Sequence, residues 1–335
     1  MRRIAAVALV MVTATACTGD AEPVRPVAAS APVRVPPKVT LDEAARAFRT
    51  YVATDAVARG SGDVRLAQDL SRDGRTRIVM AQFEQSLVKG ERPARYEWGE
   101  PTLLVPRLDR FPHWFAAVAE RRSGQARETV LLVFMRVEKD LELREDGRWR
   151  VAVHSVLDRG VTLPKAALDA EGYAVPLATF DESLAVSPRL VGPLHATLAE
   201  EGSSGAAADL VAPGHHTTRY HADIQRDEQR YQRAGMHYDS IFGAANYPIF
   251  ALRTEGGGAL VLYALNRTTK WEAQTYNVVR IDVPPNALPV TVDPVYRTRL
   301  VVEEIHNYVA EVPAKGGGPV RVIGYDGAVT RTSGK

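Results

Sequence analysis

Cysteine is nearly missing from this chain: its 335 residues include one, Cys17. No intramolecular disulfide can form, so the fold must be held by packing. An excess of charge of either sign is missing as well. Lys and Arg number 42 and Asp and Glu 40, for a formal net charge of +2. A nucleic-acid binder usually carries a basic excess or stripe. None appears, so no nucleic-acid partner is expected. Lysine is scarce beside arginine, a bias that fits a G+C-rich genome better than phosphate binding. Long hydrophobic runs are absent too. Ile4–Val12 is nine residues, against the roughly 20 that span a bilayer as a helix. No Gly-x-Ser-x-Gly elbow occurs, which leaves an α/β-hydrolase unsupported. The glycine triplets at 256–258 and 316–318 have no helix after them and read as turns, not phosphate cradles.

What is present begins with a targeting pattern. Arg2 and Arg3 precede the apolar run Ile4–Val12, and Thr13, Ala14, Thr15 and Ala16 lead to Cys17. A basic start, a short apolar core and small residues before a cut define a secretory signal over residues 1–16. Ala14-Thr15-Ala16-Cys17 resembles the lipobox of bacterial lipoproteins, with Ala14 where that motif usually has leucine. The resemblance implies diacylation of the Cys17 sulfur and cleavage before it. Two acyl chains anchor stably where one does not. The implied address is the extracytoplasmic face of the cell membrane. Residues 17–39 read as a disordered tether, with Pro23, Pro26, Pro32, Pro36 and Pro37 favouring extended chain.

Composition supports a real core beyond the tether, at 45% hydrophobic and 24% charged residues. Thr40-Leu41-Asp42-Glu43 fits a capping box, and Leu41, Ala44, Ala45, Phe48 and Val52 then recur at helical spacing. Further helices are expected at about Val64–Leu70 and Arg75–Val88. The period then changes to two, giving candidate strands Ala94–Val105, His113–Arg121, Thr129–Glu138 and Trp149–Leu157, the last two flanking an Asp146-Gly147 turn signal. After a mixed stretch, 159–187, the order repeats. Helices are expected from Ser187-Pro188 and over Thr218–Ala234. Strands follow at Tyr247–Thr254, Ala259–Leu265, Val278–Val283, Thr298–Val312 and Pro319–Thr330. This reading gives an α+β chain with one unit at 40–158, a linker at 159–187 and a second unit at 188–335.

Helix-then-sheet order, stated twice, resembles the NTF2-like superfamily of cone-shaped α+β domains, in which helices pack on curved antiparallel sheets. The expected fold is therefore two tandem NTF2-like units. The whole chain also resembles the uncharacterised lipoproteins of actinobacteria. That superfamily includes isomerases, dehydratases and many non-catalytic binding domains, and fold alone does not choose among them.

Few residues carry a chemical signature. His215, His216 and His221 lie within seven residues, but His216 and His221 are five apart, off a common helix face, with Arg219 between them. The segment reads as a solvated loop and helix start, and no metal or cofactor is expected. Ser86-Leu87-Val88-Lys89 matches Ser-x-x-Lys of penicillin-recognising enzymes. It falls at a helix end, lacks a Ser-Asp-Asn partner, and Lys315-Gly316-Gly317 lacks the hydroxyl of the third motif. In the first unit, Tyr51, Asp55, Tyr96, Trp98 and His154 are the residues that would line a cone pocket, with Asp158 near enough in sequence to orient His154 as a base. The leading expectation is a lipid-anchored, non-catalytic binding or scaffold protein of the cell envelope. The alternative is an isomerase- or dehydratase-type acid/base enzyme. The anchor has a direct test. Radiolabelled palmitate should label the wild type and leave Cys17→Ser unlabelled, and equal labelling of both would overturn the anchor.

Overall fold

Chain entry into the fold is set by a cap. In the computed structural model, which describes residues 38–140, 146–275, 277–292 and 295–335, Thr40 Oγ1 accepts the Glu43 backbone N–H at 3.1 Å. Such a cap contributes about 1 kcal/mol. It starts helix α1, Leu41–Ser61, which ends at Gly62 in the left-handed conformation. Only half of the expected capping box forms. The Glu43 carboxylate accepts from Arg136 Nη1 at 2.7 Å and Trp149 Nε1 at 3.2 Å, tying α1 to the sheet. Val39, read as tether, is already buried in the core beneath α1. Cys17, the signal segment and the tether before residue 38 lie outside the described residues, as does Glu145 of the expected hairpin turn.

Two short helices follow, α2 (Val64–Asp69) and α3 (Asp73–Val88). Strands β1 (Glu97–Trp98), β2 (Thr102–Leu104), β3 (His113–Ser123), β4 (Ala126–Arg136) and β5 (Arg150–Leu157) complete the first half. The second half holds α4 (Pro188–Glu201), α5 (Thr218–Arg233), β6 (Met236–Ala244), β7 (Phe250–Arg253), β8 (Ala259–Ala273), β9 (Arg299–Val312) and β10 (Arg321–Gly334). The expected strand Ala94–Val105 breaks into β1 and β2 around Gly99-Glu100-Pro101. Val278–Val283 makes no strand; Ile281 forms a single bridge to Tyr296. Strand β6 follows directly on polar α5 and had no alternating apolar signal strong enough to announce it.

The expectation of two tandem NTF2-like cones is corrected here. Among the described residues, ten strands form one open antiparallel sheet in the order β1-β3-β4-β5-β10-β9-β8-β6, with β2 on β3 and β7 on β8. The halves repeat the same strand order, but they are joined edge to edge. Strand β5 pairs with β10 through Leu157 opposite Gly324 and Val156 opposite Tyr325. A shared core then unites them, in which Trp114, Leu131 and Val133 pack with Phe250, Leu262, Val309 and Ile323. The physical reason is that helix and strand order says nothing about which sheet edges stay open. The free edges of β5 and β10 satisfy each other's backbone groups.

Further cores lie outside this shared one. Phe48 and Tyr51 of α1 pack on Phe115, Leu132 and Phe134. Val191 and Leu198 of α4 pack with Tyr263, Leu265 and Tyr308, and Tyr220 and Ile224 of α5 lean on the same cluster. On α4, Leu190 is exposed, while Val191, His195 and Leu198 are buried. Helix α3 touches β5, β9 and β10, so it covers the join between the halves. Residues 159–187 carry no helix or strand and bridge to β7 at Pro176–Leu252 and to the β9–β10 turn at Leu184–Ala314.

Gly324 lets the two edge strands approach. A Cβ there would sit 2.7 Å from Val156 O and 2.8 Å from Val309 Cγ1. Gly324→Val is expected to lower the urea-unfolding free energy by about 1–3 kcal/mol through overpacking. Gly243→Ala, where a Cβ meets nothing within 4 Å, should stay within about 0.5 kcal/mol of wild type. Equal effects of the two would contradict the close seam.

Candidate functional site

The five residues expected to line a pocket in the first half do converge, but on a closed interior. Tyr51 and Asp55 lie one turn apart on the buried face of α1. Asp55 holds Arg59 Nε at 2.8 Å in a buried pair. Tyr96 packs against both Arg59 and Arg121, whose guanidinium carbons lie 4.7 and 4.1 Å from its ring. His154 is 1% exposed. Its partner is not Asp158. Nδ1 lies 2.7 Å from Asp326 Oδ2, and Nε2 lies 2.9 Å from Arg121 Nη1. Guanidinium only donates, so Nε2 accepts and the ring proton sits on Nδ1, toward Asp326. Asp326 also holds Arg75 Nη1 at 2.5 Å. Trp98 is the fifth residue, edge-on to Phe48 and Tyr51 in the neighbouring apolar core.

These contacts set the protonation states. Burial lowers the His154 pKa to about 3, with Arg75 adding to the effect against Asp326. Burial pushes the Asp326 carboxyl up, but His154 and Arg75 outweigh it and hold it well below the usual carboxylate range. Burial, with Asp55 beside it, raises the Tyr51 hydroxyl. A neutral imidazole with one nitrogen bonded to Arg121 and the other buried against Asp326 is a structural wedge, not a poised base.

The second half has its own aromatic and imidazole cluster. His195 donates from Nε2 to His216 O at 2.5 Å and accepts at Nδ1 from the Tyr263 hydroxyl at 2.8 Å. Burial takes its pKa to about 3 as well. His306 sits between Tyr308 and Glu304, at 2.9 and 3.0 Å. The three histidines of the 215–221 segment diverge. His215 is exposed, His221 Nδ1 lies 2.6 Å from Glu200 O, and His216 Nε2 lies 2.8 Å from Asp158 Oδ1. Among the described residues, no three His, Cys, Asp or Glu side chains converge as a metal site. Ser86 hydrogen-bonds Gln82 O and Lys89 caps the end of α3, a plain helix terminus.

Open space lies elsewhere, where the connecting segment meets loops of the second half. A cleft of about 650 Å³ is lined by Pro164 and Lys165 of the connecting segment, Glu255 and Gly256 of the β7–β8 turn, and Glu311 and Arg321 of β9 and β10. A smaller pocket of about 190 Å³ is lined by Val161, Pro213, His216, Val322 and Ile323, and shares Ala212 and Arg321 with the cleft. So His216, paired to Asp158, lines a pocket that shares two wall residues with the cleft. The histidine segment, read as a solvated loop and helix start, instead buries His216. Asp158 had been paired with the wrong histidine, because strand β5 turns it away from His154 and toward the loop before α5. Arg321 had no sequence signal.

A family model described as a domain of unknown function, DUF8094, matches residues 35–334. The chain belongs to that family. Among relatives, an uncharacterised lipoprotein of Streptomyces avermitilis is 27% identical over 218 residues, 65% of this chain and 61% of its own length. An uncharacterised lipoprotein of Streptomyces coelicolor is 24% identical over 306 residues, 89% of this chain and 87% of its own. The chain thus spans under two thirds of the first relative and most of the second. No solved structure matches it. No helix among the described residues is long and apolar enough to cross a membrane.

The low pKa values of His154 and His195 give a signed prediction for this DUF8094 chain. Both are depressed below the ordinary value of about 6.5, so the unfolded chain binds protons first. Their contribution to stability is complete above about pH 6.5 and is lost as pH falls toward about 3. Unfolding free energy should fall by about 1 kcal/mol per pH unit per histidine between pH 6 and 4. His154→Gln should show a shallower slope over that range in urea titrations. An unchanged slope would refute the buried neutral assignment.

Proposed function

We propose that this protein is a lipoprotein held on the outer face of the cell membrane through diacylated Cys17, and that its folded part is a non-catalytic binding module of the cell envelope with its ligand seat in the 650 Å³ cleft. The observation that carries the reading is the contrast between interior and cleft. The interior ion pairs and histidine contacts of the first half close on one another. In the cleft, among the described residues, Lys165 and Glu255 make no side-chain hydrogen bond or ion pair. Arg321 has only Glu311, at 3.6 Å. Charged groups left open around a concave surface are available to a ligand. The anchor part is supported by the names of the two relatives and by the residues before Cys17.

A second reading, acid/base chemistry, is favoured by one observation, the His216–Asp158 pair in the smaller pocket. His215 and Tyr325 stand beside it in ring contact, and neither makes a side-chain hydrogen bond to His216 through which a proton could pass.

The test uses the full chain in detergent micelles and fractionated envelope extract. A fraction containing the ligand should raise the melting temperature of the wild type, because a ligand at a hundredfold its dissociation constant adds about 2.7 kcal/mol. Ala212→Trp, which fills the junction between cleft and pocket, should abolish the shift. A shift retained in Ala212→Trp would sink the cleft assignment, and a chemically altered ligand after incubation would favour the enzymatic reading.

A further inference from the structure

The pocket beside His216 has a donor and acceptor pattern that narrows the ligand. We infer that it captures the free C-terminal residue of a short peptide, with Arg321 pairing the terminal carboxylate, His216 Nδ1 accepting the terminal amide N–H, and Val161, Pro213, Val322 and Ile323 receiving an apolar side chain. This inference rests on the cleft being the ligand seat, since the upstream residues of the peptide would lie there.

The imidazole is fixed in position and in tautomer. His216 is 6% exposed. Its ring stacks on Tyr325, with centroids 5.2 Å apart and planes 25° apart. Its backbone carbonyl accepts from His195 at 2.5 Å. Asp158 as a carboxylate only accepts, so the 2.8 Å contact places the proton on Nε2. Nδ1 is then a lone pair, and among the described residues nothing donates to it. Burial also keeps the ring neutral, by lowering its pKa against the pull of Asp158. Asp158 stands at the Nε2 end of the ring, so its charge is not at Nδ1.

Arg321 supplies the other half. Its guanidinium is a rigid fork that suits a carboxylate. Glu311 at 3.6 Å is too far for a hydrogen bond, so the fork remains open. Both groups line one small space whose remaining wall is largely apolar. A ligand that satisfies all of this carries an N–H donor, an anion and an apolar group on neighbouring atoms. A C-terminal residue has that arrangement. A fatty acid lacks the N–H, and an amine cation is repelled by Arg321. Backbone capture of terminal carboxylates is a recurring mode of peptide recognition. Beyond Ala212 and Arg321 the cleft offers Lys165, Glu255 and Glu311, charges of both signs, for upstream residues.

The probe is a panel of N-terminally fluorescein-labelled tetrapeptides ending in Ala, Val, Leu or Phe, read by fluorescence anisotropy against the full chain in micelles. At least one free acid should bind. Its C-terminal amide should bind about tenfold more weakly or worse, as should the acid to Arg321→Gln, because each removes one charge-assisted pair. Arg321 is exposed on its side-chain surface, so that variant keeps the fold. A peptide N-methylated at the terminal amide should also bind more weakly, which reads the His216 contact. Equal binding of acid and amide, or of the acid to wild type and Arg321→Gln, overturns the inference. So does the absence of binding across the panel. If the panel fails while the extract shift is still lost in Ala212→Trp, the cleft reading stands and the peptide assignment falls. If Ala212→Trp keeps the shift, both fall.

Discussion

Asp326 holds the two halves of this protein together at the point where backbone pairing is thinnest. Strands β5 and β10 match at two register positions. At the next residue of β10, the Asp326 carboxylate meets Arg75 of α3 and His154 of β5. A carboxylate removed from water is tolerated only with partners that restore what water gave. Here every partner comes from the first half, while Asp326 comes from the last strand of the chain. The charge therefore specifies which edge of the second half docks on the first, and where. Hydrophobic packing could not supply that register on its own, because Val and Leu line both faces near the seam.

The same constraint decides where function can sit. Charges and imidazoles committed to holding the seam are unavailable to a ligand. His154 has Arg121 on one nitrogen and Asp326 against the other. His195 and His306 are likewise occupied at both nitrogens. What remains is the rim where the connecting segment, the β7–β8 turn and the β9–β10 turn come together. Loops carry binding groups because a rigid sheet positions them and nothing in the core needs them.

Much of the local structure was legible in the chain. Thr40 before an apolar helical stripe marked the start of α1, and Pro188 the first turn of α4. Alternation announced β3, β4, β5, β9 and β10 to within a few residues. Two kinds of feature were not legible. Strand β6 pairs with β8 through Tyr238, Asp239, Ser240 and Ile241, a polar-rich run whose place depends on Trp271 and α5. The union of the halves was hidden as well, because edge pairing is a long-range choice encoded in a few positions, Gly324 and Asp326 above all. Tyr51, Asp55, Tyr96 and His154 were rightly grouped, yet the group is filled by Arg75 and Arg121, which composition alone treats as surface.

The histidines show how a site is told from a scaffold when no motif helps. An imidazole has two nitrogens, and its role follows from what each one meets. Where both are bonded inside the protein, the ring fixes neighbours. His113 is the opposite case: it is buried with neither nitrogen partnered, and it lines none of the clefts described above. Such a ring has nothing to hand to a ligand. His216 has one nitrogen tied to Asp158 and the other unpaired among the described residues, and it lines a pocket that shares Ala212 and Arg321 with the 650 Å³ cleft. Of these interior rings it alone combines orientation with access. That combination, rather than the density of histidines around residue 215, is what makes this position the place to look for a ligand.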